Sequence, residues 1–392
     1  MNNFQYYTPT KVVFGKDTQS KVGELVKEQG AAKVLIHYGG GSAVRSGLID
    51  QVKASLDEAG IAYVELGGVK PNPRLALAKE GIELCKKEGV DFILAVGGGS
   101  AIDSAKCIAY GLANEGDVWD FFIKTRAPKA CAPVGAVLTI AAAGSEMSNS
   151  CVITNEDVML KRGVNTDLCR CRFAVMNPEL TYTLPDYQTA CGCLDIMMHI
   201  MERYFSTTPD TMLVDGMSEA VLRTVRTNAM ILLENPTDYD ARAQVMWASS
   251  LAHNGLLGCG RDEDWATHQL GHEISGKFDV AHGAGLAAIW GSWARYVIDE
   301  KPERFAQFAQ NVFDIPVGNS DPTRTGLLGI RAMEDFITSI GLPVKISGLG
   351  IDLTDEQIRE MAHKCADRPG GKIGGFKKLG EEDMLKIFEM AR

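Results

Sequence analysis

The chain has 392 residues, a formal net charge of −10, 45% hydrophobic and 23% charged residues. These are globular proportions that exclude a disordered chain, and with no basic cluster to neutralise phosphates they exclude a nucleic-acid partner. The length exceeds what one hydrophobic core usually serves, so two domains are expected.

The N-terminus, MNNFQYYTPTKVVFG, lacks the charged start and apolar run of a secretory signal, and no stretch of about 18 apolar residues offers a membrane span. A cytoplasmic protein is expected, with no membrane partner. Its ten cysteines lie in apolar runs such as KCIAYGL and read as buried reduced thiols. Cys169 with Cys171 and Cys191 with Cys193 are spaced too closely for the usual zinc knuckle. The stretch FQYYTPTKVVF reads as an apolar strand whose edge is available for pairing in a homodimer.

Short β-rich runs follow at 32–37 (AKVLIH), 62–66 (AYVEL), 91–96 (DFILAV) and 133–138 (PVGAVL). Between them lie helical patterns such as GLIDQVKASLDEAG and RLALAKEGIELCKKEG. Strands alternating with helices of this length imply βαβ units and a parallel sheet, an α/β domain over 1–184. From Pro185 the texture changes to long helical stretches such as MLVDGMSEAVLRTVRTNAMILLEN, without period-two alternation, and an all-α domain over 185–392 is expected.

Two glycine loops belong to the first half. Gly97-Gly98-Gly99-Ser100 stands between the strand DFILAV and the helix SAIDSAKCIAYGL. Glycine allows close backbone approach there and a helix N-terminus favours negative charge, so the turn suits a pyrophosphate. The plain alternative, a tight strand-to-helix turn, is opposed by Asp103 and Lys106 in the pattern GGGS-x2-D-x2-K. The G-x-G-x-x-G fingerprint is absent. A second loop, Tyr38-Gly39-Gly40-Gly41-Ser42, holds no acid for a ribose 2′-hydroxyl. Its glycines, Ser42 and nearby Arg45 leave room and donors for a 2′-phosphate, which favours NADP(H) over NAD.

The second half carries Asp195 and His199 four apart, His268 and His272 four apart, and His282 ten residues later. An i, i+4 spacing puts two side chains on one helix face, where both reach one ion. Any one of these histidines alone reads as a satisfied core or surface residue. Imidazoles with one carboxylate, clustered and flanked by AHGAGLAAIWG, point to a site for Fe(II) or Zn(II). Phosphate loops in one half and metal candidates in the other predict a site between the domains.

Segments along nearly the whole chain carry a resemblance: NFQYYTPTKVVFGKD, YGGGS, KPNPR, VGGGSAIDSAK, LTIAAAGSEMSN, MNPELTYTLP, LDIMMHIMERY and DWATHQLGHEISGKFDVAHGAGLA. In them the sequence resembles the iron-containing alcohol dehydrogenase family, especially its NADPH-dependent butanol dehydrogenase and broad aldehyde reductase branch. The resemblance implies a Rossmann-like dinucleotide-binding domain joined to a helical metal-binding domain, the dehydroquinate synthase-like architecture. It implies Asp195, His199, His268 and His282 as ligands, with His272 beside the metal as the candidate proton relay. It further implies cofactor contacts from Gly98, Gly99, Ser100, Asp103, Asn72 and Lys161, and from Gly39, Gly40 and Ser42 at the 2′-phosphate. The central loop departs from the family: Ala141, Ala142 and Ala143 stand where threonines are usual, leaving Thr139 and Ser145 as its cofactor candidates.

The activity implied is hydride transfer between NADP(H) and a primary alcohol or aldehyde, such as butanol or butyraldehyde, with the metal polarising the substrate oxygen. Two rival enzymes share the architecture: an NAD-requiring lyase similar to dehydroquinate synthase and a glycerol dehydrogenase-like enzyme. The lyase's anionic substrate needs a basic pocket, and the segments around the ligands contain only Lys277 as a basic residue, with Trp265 and Phe278 nearby. A metal and nucleotide binding protein without turnover is the third reading.

Overall fold

A computed structural model of the chain describes residues 1–316, 321–368 and 370–392. It contains two units, one of Tyr7–Leu184 and one of Met1–Tyr6 with Pro185–Arg392.

The first unit contains strands β1 (Lys11–Phe14), β2 (Lys33–Gly39), β3 (Ala62–Val69), β4 (Phe92–Gly97), β5 (Val134–Leu138), β6 (Ser150–Asn155), β7 (Leu160–Asn165) and β8 (Phe173–Met176). Its helices are α1 (Val22–Glu28), α2 (Ser42–Arg45), α3 (Leu48–Ala59), α4 (Leu75–Glu88), α5 (Gly99–Ala113) and α6 (Trp119–Phe122). Six strands make one sheet in the order β1-β8-β5-β4-β2-β3, with every pairing parallel. FILAV and VGAVL are buried along their whole length. That is why β4 and β5 read as unbroken apolar runs: a parallel strand inside such a sheet is covered on both faces. Val22, Leu25, Val26, Val52 and Leu56 of α1 and α3 pack on Val34, Ile36, Leu94 and Val96 of the sheet. Helices α3 and α4 end on left-handed Gly60 and Gly89, a conformation that a side chain would disfavour.

Three features depart from the sequence reading. Within FQYYTPTKVVF only Lys11–Phe14 is strand; it forms the sheet's edge and pairs inside the chain with β8. The β6–β7 hairpin was not anticipated, because its turn carries Met159 at φ 50 in place of a signalling glycine or asparagine. Four-residue β8 is too short for a periodicity to show.

The second unit is built of α7 (Asp186–Tyr204), α8 (Met212–Glu234), α9 (Tyr239–His253), α10 (Ala266–Phe278), α11 (His282–Val297), α12 (Pro302–Phe313), α13 (Pro322–Ser339), α14 (Asp355–Ala366) and α15 (Glu381–Ala391). Among the described residues after Leu184 no strand forms, the bridge Ile373–Leu379 aside. From Ala190 to Tyr204 every residue of α7 is buried, as expected of a helix enclosed by neighbours; α8, α9, α10 and α11 all pack on it. The first residues belong to this unit, whereas the sequence reading assigned them to the α/β half. Asn2 donates its N–H to the Gly260 carbonyl at 2.8 Å and the Met1 ammonium donates to the Pro209 carbonyl at 3.0 Å. No described helix is long and apolar enough to cross a membrane.

Candidate active site

In the helical unit, three turns of α7 present Asp195, His199 and Glu202 on one face, while α10 carries His268 and His272 and His282 opens α11. Their approach depends on Gly283. A Cβ there would fall 2.2 Å from the Cys191 carbonyl oxygen, so only glycine lets the first turn of α11 lie on the α7 backbone one turn before Asp195. Donor atoms of Asp195, His268 and His282 consequently lie within 4.8 Å of one another. His268 Nε2 is 3.7 Å from Asp195 Oδ1 and His282 Nε2 is 3.8 Å from it. Donors bound tetrahedrally to one ion at about 2.1 Å would be roughly 3.4 Å apart, so a small contraction completes the set.

The surroundings have the polarity such a site needs. Asp195 Oδ1 and His268 Nε2 are buried and have no hydrogen-bond partner among the described residues. Two orphaned acceptors side by side are costly unless something positive satisfies both. His268 Nδ1 is 2.7 Å from Glu202 Oε1, so Nδ1–H donates to the carboxylate and the Nε2 lone pair turns toward Asp195, the usual support of a ligating histidine. The same Glu202 oxygen accepts the His268 backbone N–H at 2.8 Å, capping the first turn of α10. Burial alone would raise the Asp195 carboxyl; the neighbouring imidazoles of His199, His282 and His268 outweigh it and hold it well below the usual range. Burial lowers His199. His268 is raised: burial opposes this, but the nearby Asp195 carboxylate and the bond to Glu202 prevail.

His199 stands at the margin of the trio. Its Nδ1 bonds the Asp195 carbonyl at 2.8 Å and lies 3.2 Å from Asp195 Oδ1, and its ring centroid is 4.3 Å from that of His268. His272 lies one turn beyond His268, partly exposed, its ring 5.5 Å from that of His282, outside the trio of donors. Two neighbours escaped the sequence reading. Glu202 sits seven residues after Asp195, a spacing that gave the signal. His253, at the end of α9, packs its ring 4.2 Å from that of His199, and nothing in the sequence marks it. Trp265 presents its edge to His199 and His268 at 5.9 and 5.2 Å. It holds a left-handed φ of 66, a strain that clusters at functional sites.

In the α/β unit, β2 leads on to β3 on one side and β4 leads on to β5 on the other. The two adjacent strands therefore flank the switch point of the sheet, where open α/β sheets bind ligands beyond their carboxyl ends. Both glycine loops emerge there, since Tyr38 is in register with Val96. Gly98 precedes α5 with no side chain capping the helix, which leaves its first N–H groups facing outward for an anion. A Cβ on Gly98 would be 3.0 Å from Ile140 Cβ, and one on Gly99 would be 3.1 Å from Ala143 Cβ. Gly39 ends β2 and Ser42 begins α2. Around Gly40 there is open space, and the exposed Arg45 folds over Gly41, its guanidinium 2.8 Å from where a Cβ would stand.

Of the remaining candidates, Asn72 and Lys161, 89 residues apart in sequence, are bonded at 2.9 Å through Asn72 Oδ1 and Lys161 Nζ, both buried. Asp103 and Ser145 bond each other at 2.5 Å, and Asp103 also accepts the Val152 N–H at 2.9 Å, so both brace the central loop. Thr139 continues β5, its N–H donating to the Gly97 carbonyl at 3.0 Å.

The profile of the family described as iron-containing alcohol dehydrogenase matches residues 9–178, and that of the Fe-containing alcohol dehydrogenase family C-terminal region matches residues 189–392. The chain is similar to NADH-dependent butanol dehydrogenase A of Clostridium acetobutylicum, with 41% identity over 99% of each chain. It is also similar to the NADPH-dependent aldehyde reductase YqhD of Escherichia coli K12, with 34% identity over 100% of each chain. The crystal structure of an NADH-dependent butanol dehydrogenase A from Thermotoga maritima matches with a TM-score of 0.96 and 38% identity, covering 100% of this chain and 99% of that one.

Proposed function

We propose that this chain, which belongs to the iron-containing alcohol dehydrogenase family, interconverts a primary alcohol and its aldehyde with NADP(H), using Fe(II) or Zn(II) held by Asp195, His199, His268 and His282. When bound, the metal supplies Lewis-acid polarisation of an oxygen and the nicotinamide supplies or takes a hydride. The observation that carries the reading is the pair of buried, unpartnered acceptors, Asp195 Oδ1 and His268 Nε2. One hard oxygen with imidazole nitrogens suits a borderline cation.

The residues divide the work. Asp195 offers the anionic donor, and Glu202 fixes the His268 tautomer through Nδ1. His272, partly exposed beside His282, exchanges the hydroxyl proton with solvent. The Gly98–Ser100 turn receives the pyrophosphate. Lys277, the basic residue that follows the histidines on α10, is engaged by Glu360, which favours a neutral aldehyde over an anionic lyase substrate.

For the cofactor, the absence of a carboxylate from Gly39 to Ser42 and the placement of Arg45 favour a 2′-phosphate. The names of relatives at 39–41% identity, NADH-dependent butanol dehydrogenases, favour NADH instead. The ten cysteines, all free and nine of them buried, accord with a reducing cytoplasm, and edge strand β1 offers a homodimer contact.

Protein purified without oxygen and stripped of metal should regain butyraldehyde-dependent NADPH oxidation on adding Fe(II) or Zn(II). Metal-free turnover, or no aldehyde-dependent oxidation of either nucleotide after reconstitution, overturns the reading.

A further inference from the structure

Helix α5, which opens at the Gly97–Ser100 turn, carries a lysine with no exposed surface, Lys106. No carboxylate lies within ion-pair distance of it among the described residues. Its ammonium donates instead to the backbone carbonyls of Ser145 at 2.7 Å, Ser150 at 2.8 Å and Ser148 at 3.0 Å, with Ser148 Oγ at 3.3 Å. One turn earlier on the same helix, Asp103 takes the complementary groups, the Ser145 hydroxyl and the Val152 N–H. The helix thus grips one loop twice, its acceptors through Lys106 and its donors through Asp103.

The stretch just before this grip is the one that meets the glycine turn. Ile140 and Ala143 lie so close to Gly98 and Gly99 that a Cβ at either glycine would force them to give by a few tenths of an ångström. Ala141, Ala142 and Ala143 offer only methyl groups, so no side-chain hydrogen bond of theirs fixes the stretch. It is tied at both ends, by the Thr139 N–H on the Gly97 carbonyl on one side and by the Lys106 and Asp103 bonds on the other. A buried cation is costly unless fully bonded, and an apolar residue of the same length would fill the space without that cost.

We propose that Lys106 is a positioning residue for the nicotinamide nucleotide: by holding the carbonyls of Ser145, Ser148 and Ser150 it keeps Ile140–Ala143 seated against the Gly98–Gly99 turn, and thereby sets cofactor affinity. Lys106 itself touches no nucleotide. The proposal rests on the pyrophosphate binding at that turn.

The test is fluorescence titration of NADPH on metal-loaded enzyme at 25 °C, alongside kcat, KM and the melting temperature. Lys106→Met should raise the Kd and the KM for NADPH at least tenfold, with kcat at saturating cofactor within about threefold and metal content unchanged. Lys106→Arg keeps a buried cation but cannot seat a planar fork among three carbonyls; it should raise Kd at least threefold, and it decides the matter if the methionine variant does not fold. A lowered melting temperature with Kd within twofold of the parent makes Lys106 merely structural and overturns the proposal. Ser100→Asp tests the underlying reading separately. An added carboxylate favours the helix N-terminus but repels a pyrophosphate, so Kd should rise with no loss of melting temperature. If Ser100→Asp leaves Kd unchanged, the nucleotide is elsewhere and both readings fall; if only the Lys106 variants leave it unchanged, the positioning role falls alone.

Discussion

Replacing Glu202 isolates how much of the metal affinity comes from a residue that is not a ligand. One Glu202 oxygen accepts both the His268 Nδ1–H at 2.7 Å and the His268 backbone N–H at 2.8 Å, and the carboxylate is buried. Glu202→Leu, similar in volume, leaves two buried donors without an acceptor, a cost of roughly 1–3 kcal/mol each. It also frees the His268 ring to rotate or to move its proton to Nε2, where the lone pair is lost. Such supporting partners typically govern metal affinity by about 10–100-fold, or roughly 1.4–2.7 kcal/mol. Glu202→Gln keeps an acceptor oxygen in place and loses only the charge, so its effect should stay below about tenfold. Competition for Zn(II) against a chromophoric chelator reads the affinity, with NADPH titration as a check that the other unit is intact. A leucine variant that binds the ion within twofold of the parent would refute the claim that Glu202 orients His268.

His268→Ala should abolish metal retention and aldehyde turnover while NADPH binding persists; equal metal content by mass spectrometry in mutant and parent removes His268 from the ligand set. Gly40→Asp places a carboxylate in open space, where the proposed cofactor reading puts the ribose; it would cost several kcal/mol against a 2′-phosphate but accept a 2′-hydroxyl. The ratio of kcat/KM for NADPH to that for NADH should fall by about a hundredfold, and an unmoved ratio would remove the YGGGS loop from cofactor choice. Burial lowers His37 to about 4 from 6.5, although its Nδ1 bonds the Leu66 carbonyl and its Nε2 the Ser104 hydroxyl, each at 2.8 Å. Because the unfolded chain takes up the proton first, stability is intact above pH 6.5 and is lost as pH falls toward 4, by about 2 kcal/mol at pH 5. His37→Gln should lack that component of the urea-midpoint shift between pH 7 and pH 5; an equal shift in both proteins would assign the acid sensitivity to other groups.

What could be read from the sequence followed from how each signal arises. Buried parallel strands such as FILAV announce themselves as apolar runs, and helix ends at Gly60 and Gly89 by their glycines. Edge and hairpin strands do not, since Lys11–Phe14 and Leu160–Asn165 are short and half exposed. In the helical unit, i, i+4 spacing brought out Asp195 with His199 and His268 with His272, because both pairs lie on single helices. His253 comes from a different helix, and only tertiary packing sets it on His199. The Lys106 grip was unreadable for another reason: its partners are backbone carbonyls, which every residue has, so the sequence carries no mark of them.

The close approach at Gly283 has a bearing on stability as well as on chemistry. Asp195, His268 and His282 come from three helices, α7, α10 and α11, so an ion among them is a cross-link between segments distant along the chain. Bound at a thousand times its Kd, it would add about 4 kcal/mol to the folded state. All of that stabilisation falls on the helical unit. Chelation should therefore lower the melting transition of the helical unit, with the α/β unit keeping its own midpoint. Metal supply would then set how long the protein survives, independently of how fast it turns over.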